Sequence, residues 1–264
     1  MSTPQFKNFL FEITPDGIAI VTINRPEVRN AMDNDSWDSM YAISAHCMKD
    51  SSIKAVVITG AGDKSFAAGA DLNSIKAKTP ADVFMNFSTT RESAYNWENM
   101  PKPVIAAVNG YAFGGGCEIA MSCDIRIAST RAKFALPECG VGVIPGNGGT
   151  QRLARLVGYG LAKDMILTGR VLNAQEALDN KLVTYVVEPD ELMNKAMEIA
   201  RTAASKAPTA IALAKKVLPA SMNADLVTGV TMESLAFAAA QGTADKLEGC
   251  NAFLEKRNPE FPGK

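Results

Sequence analysis

The chain is poor in histidine, in paired cysteines and in any excess of charge. A single histidine, His46, stands among 264 residues. Zinc sites built on two or three histidines are thereby excluded, and a Ser-His-Asp triad would rest on that one side chain. His46 lies in Trp37 to Lys49, where Trp37, Met40, Ile43 and Cys47 recur at helical spacing, so it reads as an ordinary helix residue. The five cysteines, Cys47, Cys117, Cys123, Cys139 and Cys250, form no Cys-x-x-Cys pair and are odd in number. They read as buried, reduced thiols, not as a disulfide scaffold. Lys and Arg total 27 against 28 Asp and Glu, a formal net charge of -1. That balance argues against a general nucleic-acid or anionic-membrane surface, while a local basic patch remains compatible with an anionic ligand. No run reaches the roughly 20 apolar residues of a membrane span. The start, MSTPQFKNFLFEI, has no basic stretch ahead of an apolar core, so no signal peptide is expected. A soluble, cytoplasmic protein without nucleic-acid or membrane partners is the expectation.

What is present is apolar: 47% of the residues are hydrophobic. That suits one large globular domain, or a domain with a helical appendage. Short runs enriched in Val and Ile predict strands at Phe6–Ile13, Ile18–Ile23, Ala55–Thr59, Val104–Val108, Ile125–Ile127, Lys133–Ala135 and Leu182–Val187. Helical stretches at Ser36–Lys49, Pro80–Asn96 and from about Gly115 alternate with them, which argues for an α/β class. After about Pro189 the pattern becomes helical throughout, over Glu191–Ser205, Thr209–Leu218, Ala224–Gln241 and Ala244–Lys256. The chain thus divides into 1–188 and a helical region, 189–264, which forms either a packing layer or a subunit contact. Met193, Met197, Met222 and Met232 in those helices read as core packing.

Twenty glycines invite a nucleotide-binding reading. Gly60-Ala-Gly-Asp-Lys-Ser65 fails as a P-loop, because Asp63 separates Gly62 from Lys64 and the earlier glycine is missing. Gly140-Val-Gly142 is followed by Pro145 where a dinucleotide fingerprint needs Gly or Ala, and Gly146-Asn-Gly-Gly149 has the wrong spacing. The glycines cluster instead where strands meet loops, in Ser65-Phe-Ala-Ala-Gly-Ala-Asp71 and Asn109-Gly-Tyr-Ala-Phe-Gly-Gly-Gly-Cys-Glu118. These are either tight turns or places where two backbone N–H groups converge on an oxygen that becomes negative during reaction. Glu118 and Glu138 both sit in apolar, Gly-rich surroundings, where a carboxylate is costly to bury. One such Glu could serve a helix dipole; two suggest general acid–base chemistry.

Five blocks then carry a family resemblance over nearly the whole chain. They are Asn24-Arg-Pro-Glu-Val-Arg-Asn-Ala31, Phe66-Ala-Ala-Gly-Ala-Asp-Leu72, Asn109 to Glu118, Pro145-Gly-Asn-Gly-Gly-Thr-Gln-Arg152 and Glu248-Gly-Cys-Asn-Ala-Phe-Leu-Glu-Lys256. In order and spacing they resemble the signature blocks of the crotonase (enoyl-CoA hydratase/isomerase) family. The resemblance implies a spiral of ββα repeats carrying the acyl-CoA site over 1–188, and a C-terminal helical region, 189–264, that builds a homotrimer or a homohexamer of two trimers. It implies a coenzyme A thioester as substrate, with no metal and no cofactor. It places an oxyanion hole at the N–H groups of Ala70 and Gly115. It places coenzyme A along Val28, Ala68, Ala70, Asp71, Leu72 and Gly115, with Phe253 and Lys256 reaching a neighbouring subunit's ligand. Asn73 stands where many hydratases carry a basic residue.

Hydratases resemble this chain in having Glu at both 118 and 138. The implied reaction is reversible syn addition of water to a 2-enoyl-CoA, with Glu118 on the water and Glu138 on the C2 proton. The rivals are an isomerase of the same family, which needs one carboxylate, and a non-catalytic scaffold, which would predict decay of the glutamates or glycines. Phe84, Met85, Phe87, Trp97 and Met100 are expected to shape a pocket for a short acyl chain.

Overall fold

The computed structural model describes residues 4–85 and 87–264, and for 85 and 87–91 the backbone alone. Ten strands follow in order: β1 Phe9–Ile13, β2 Ile18–Ile23, β3 Ala55–Gly60, β4 Ser65–Ala67, β5 Val104–Val108, β6 Tyr111–Phe113, β7 Ile125–Ser129, β8 Lys133–Ala135, β9 Leu172–Asn173 and β10 Tyr185–Val187. They form two sheets, one ordered β1-β2-β3-β5-β7-β10 and the other β4-β6-β8-β9. The β1–β2 and β8–β9 pairs are antiparallel, and the other pairs are parallel. Three successive strand pairs, β3/β4, β5/β6 and β7/β8, each give one strand to the large sheet and the next to the small one. A helical segment then returns the chain to the large sheet, so the backbone winds as a spiral of ββα turns, the α/β architecture expected from the sequence.

Side-chain alternation explains why the long strands are apolar on both faces. Ala19, Val21, Val56, Ile58, Val104, Ala106 and Val108 point into the main core inside the spiral. Their neighbours Ile18, Val57, Ile105, Ala107 and Ile127 point outward, onto Leu192, Ala196 and Ala200 of the helix Leu192–Ala204. Those three residues are four apart, so they share one helix face. Full burial of each Val or Ile stabilises by about 1.5–3 kcal/mol, which makes β5, buried at all five positions, a principal anchor of the sheet. The helix Asn34–Lys49 starts at Asp33, whose carboxylate accepts from Ser36 N at 2.8 Å, and buries Trp37, Met40, Ile43 and Cys47.

Several expectations need correction. β4, β6 and β9 were not predicted, nor were the helices Gly149–Val157, Tyr159–Thr168 and Ala174–Asp179. The span Pro80–Asn96 holds two helices, Pro80–Met85 and Phe87–Asn99. Cys47, Cys117 and Cys123 are buried, but Cys139 and Cys250 are exposed, the first on a loop turn and the second on the outer side of the last helix. Met193 and Met197 pack on the outer sheet face as expected, whereas Met222 and Met232 are exposed. His46 is a half-buried helix residue packed edge-on against Phe11. Among the described residues no helix is long and apolar enough to cross a membrane.

Candidate active site

The two glycine-rich loops meet. Met32 pairs with the Gly69–Asp71 segment: its N–H donates to Gly69 O (2.8 Å) and its carbonyl accepts from Asp71 N (2.9 Å). That pairing uses the peptide groups on either side of Ala70, so the Ala70 N–H faces away from Met32. Gly115 opens the helix Gly115–Ser122, where the first N–H groups have no partner within the helix. A β-carbon built on Gly115 would lie 3.7 Å from Ala70 N and 3.0 Å from Trp37 Cζ2. The predicted pair of donors is therefore side by side. The approach needs glycine twice over. Gly114 has φ 50° and ψ -124°, a backbone shape open essentially only to glycine, and a β-carbon on Gly116 would run into the Ala67 carbonyl oxygen.

Glu118 is the fourth residue of that helix and only 3% exposed. Its Oε1 accepts from two backbone donors, Asn147 N and Gly149 N, each at 2.7 Å. Burial raises its proton affinity above the ordinary carboxyl value, opposed by the Gly149 and Asn147 N–H groups and by the Arg152 charge. Glu138 follows Pro137 at the head of the short turn Glu138–Val141. Burial pushes its carboxyl up to about 7; its own backbone N–H opposes the shift and the Glu118 charge adds to it. Its Oε2 is buried without a hydrogen-bond partner among the described residues. A β-carbon on Gly114 would stand 3.1 Å from Glu138 Oε1, so this carboxyl lies against the same loop that presents Gly115. The fold thus gathers the two carboxyls and the Gly115 N–H at one helix start, with Ala70 beside it.

The first block docks beside them. Asn30, fully buried, donates to Ala61 O at 3.0 Å and Ser65 O at 2.7 Å, and the Ala68 N–H donates to Arg29 O at 3.1 Å. Val28, at the end of the turn Pro26–Val28, is thereby set next to Ala68, with Val28 and Leu72 open to solvent. Asp71 also has a structural task, since its carboxylate caps the helix Leu72–Ala77 through Asn73 N at 2.9 Å. Phe253 and Lys256 stand apart: Phe253 is 83% exposed, and the last helix docks through Asp245 on Thr209, not on the site loops. Of the residues expected around an acyl group, Trp97 and Met100 are fully buried in the main core, which corrects their reading as pocket lining. Phe84 is exposed, and the side chains of Met85 and Phe87 lie outside the described residues.

Sequence reading gave no role to Asn147, Gly149 or Arg152, although it singled out their block. Their contribution is mostly backbone N–H groups, which side-chain chemistry does not announce; the close glycines after Pro145 were the available signal. Among the described residues no cluster of three or more His, Cys, Asp or Glu side chains is placed to hold a metal ion.

Comparison with known proteins gives the family. The chain is 48% identical to a short-chain-enoyl-CoA hydratase of Clostridium acetobutylicum, over 92% of this chain and 93% of that protein. It is 41% identical to a crotonyl-CoA hydratase of Syntrophomonas wolfei, over 98% and 99% respectively. A crystal structure of an enoyl-CoA hydratase from Bacillus anthracis superimposes with a TM-score of 0.92 at 39% identity, covering 98% of this chain and all of the other. The family model described as enoyl-CoA hydratase/isomerase matches residues 14–264. On these matches the chain belongs to the enoyl-CoA hydratase/isomerase family, the crotonases.

Proposed function

We propose that the protein is an enoyl-CoA hydratase, adding water reversibly and syn across the C2–C3 double bond of a short-chain 2-enoyl-CoA. The observation that carries this reading is the pair of carboxyls, Glu118 and Glu138, beside the Ala70 and Gly115 N–H groups. The two N–H groups polarise the thioester carbonyl and hold the charge that develops on its oxygen; each such donor lowers the barrier by about 2.7–4 kcal/mol. Glu118, held by two N–H donors, accepts a proton from water as the water oxygen bonds to C3. Glu138, whose carboxyl stays partly protonated near neutrality, gives its proton to C2. The π electrons of the double bond pass to C2; return of the proton from Glu118 to Glu138 then restores the enzyme, and the net change is addition of one water. Proton transfers positioned in this way contribute roughly 10²–10⁴-fold.

Coenzyme A belongs along Val28, Ala68 and Ala70 to Leu72. Beside them a cleft of about 160 Å³ is lined by Arg29 and Lys64, two cations suited to its phosphates. Phe253 and Lys256 reach such a ligand only from a neighbouring subunit. A trimer, or two stacked trimers, built by the helices after residue 188 fits their exposure. Leu226, Val227, Leu235 and Phe237 are each at least 68% exposed in one chain, and an apolar groove of about 570 Å³ runs between the helices Pro208–Val217 and Leu226–Gln241. Cytoplasmic placement is part of the same proposal.

The test is hydration of crotonyl-CoA, followed by loss of the conjugated thioester absorbance, with Glu118→Gln and Glu138→Gln alongside. Rapid loss with the wild type and collapse in both variants is expected. An inert wild type that instead converts a 3-enoyl-CoA to the conjugated isomer would replace the hydratase reading with an isomerase.

A further inference from the structure

We infer that Arg152 is a positioning residue for Glu118, acting through the loop it clamps and tied by Glu98 to the helix Phe87–Asn99; the inference rests on the catalytic reading of Glu118. Arg152 stands in the first turn of the helix Gly149–Val157 and turns back over the residues before it. Its Nη1 donates to Asn147 O at 2.8 Å, and its backbone N–H donates to Gly148 O at 2.9 Å. The guanidinium lies so close over Gly148 that a β-carbon there would collide with Nη1. Gly148 itself has φ 91°, so the loop turns in the left-handed region beneath the arginine.

The same short loop supplies both donors to Glu118. Asn147 offers its N–H to Glu118 and its carbonyl to Arg152, so one peptide residue is held from both ends. Loss of the guanidinium would free the Asn147 carbonyl and let the two 2.7 Å bonds to Glu118 Oε1 loosen together. The second arm of the fork, Nη2, meets Glu98 Oε2 at 2.7 Å. Glu98 lies near the end of Phe87–Asn99, so the hold on Glu118 is fastened to a different helix from the one that carries Glu118. A planar fork can make both contacts at once, whereas a lysine ammonium offers a single point of charge.

Glu138 approaches Glu118 from the turn Glu138–Val141, Arg152 from Gly149–Val157, and the neutral thiol of Cys117 from its own helix; Glu98 acts on Arg152. Arg152 is the one cation of this set. Its charge favours the ionised form of Glu118, the form that can accept a proton from water. An arginine that only stabilised the helix start, without holding the two donors, would leave the ionisation of Glu118 alone.

The experiment is a pH–rate profile of crotonyl-CoA hydration for wild type, Arg152→Gln, Arg152→Lys and Glu98→Gln, with melting temperatures for each. For folded Arg152→Gln the inference predicts a kcat at neutral pH lower by about 10- to 100-fold, with KM little changed. The acid limb of its profile should move to higher pH, since the Arg152 charge lowers the proton affinity of Glu118. Arg152→Lys should restore the position of the limb more than the rate, and Glu98→Gln should show a smaller loss of the same kind. Wild-type kcat and an unmoved acid limb in folded Arg152→Gln would overturn the inference. If Arg152→Gln does not fold, a rate and limb in both Arg152→Lys and Glu98→Gln equal to wild type would do the same. An inactive wild type would instead sink the hydratase reading, so the two failures are distinct.

Discussion

Glu138 senses the charge of Glu118, yet the two carboxyls are held differently: two backbone N–H groups grip Glu118 Oε1, while Glu138 Oε2 is buried without a donor among the described residues. The N–H groups favour the ionised form of Glu118 against the burial that raises its proton affinity, whereas burial leaves Glu138 partly protonated near neutrality.

That difference has a signature in stability. The folded-state pKa of Glu138, about 7, lies above its ordinary value of 4.5. Between those values the folded protein holds a proton that the unfolded chain has released, so stability falls as pH rises through the interval. Glu138→Gln has no charge to bury. Its melting temperature relative to wild type should therefore rise from pH 5 to pH 8, as thermal denaturation across that range would show. A constant difference would mean that Glu138 titrates like an exposed carboxyl.

Gly149 is where the Glu118 grip is most exposed to a single atom. A β-carbon there would stand 2.8 Å from Glu118 Oε1 and 2.9 Å from Pro145 Cβ. Gly149→Ala should push the carboxylate off its donors and cost about 10²-fold in kcat, since displacement of a reacting group by about 1 Å has that effect. Steady-state kinetics with crotonyl-CoA, beside a circular dichroism spectrum to show that the fold persists, checks it.

The proposed subunit contact can be broken from its apolar side. Phe237 is 70% exposed in the single chain, in the middle of a helix that also shows Leu226, Val227 and Leu235 to solvent. Phe237→Asp should lower the mass measured by light scattering from that of a trimer or hexamer toward the 28.1 kDa of one chain. If Phe253 and Lys256 serve a neighbour's ligand, KM for the acyl-CoA should rise in parallel. A wild type that already runs as a monomer would remove the contact from the proposal.

How much the sequence disclosed depended on the kind of group involved. β2, β3 and β5 stood out because both their faces are buried, which writes unbroken Val and Ile into the chain. β4 and β6 have three residues each and lie among the glycines that bring the loops together, and β9 has only two. Glu118 and Glu138 were legible as charges in apolar company. The N–H groups of Asn147 and Gly149 were not, because every residue but proline carries one and only the fold says where it points. Trp97 and Met100 misled for a related reason: bulk and apolarity mark a pocket wall and a core residue alike, and here the core took them.

The spiral also bears on how the site comes into being. Val56 pairs with Val104, and Ile105 with Ile125, so each turn is laid on the one before it. Ala70 arrives with the first of these turns, Gly115 and Glu118 with the second, Glu138 with the third, and the Asn147–Gly149 donors only after that. Such pairings between distant stretches of chain form slowly, because the intervening loop must close before any contact stabilises it. A growing polypeptide that has left the ribosome as far as Glu138 would therefore own both carboxyls and the Ala70 and Gly115 N–H groups, yet still lack the Asn147 and Gly149 donors that hold Glu118 Oε1.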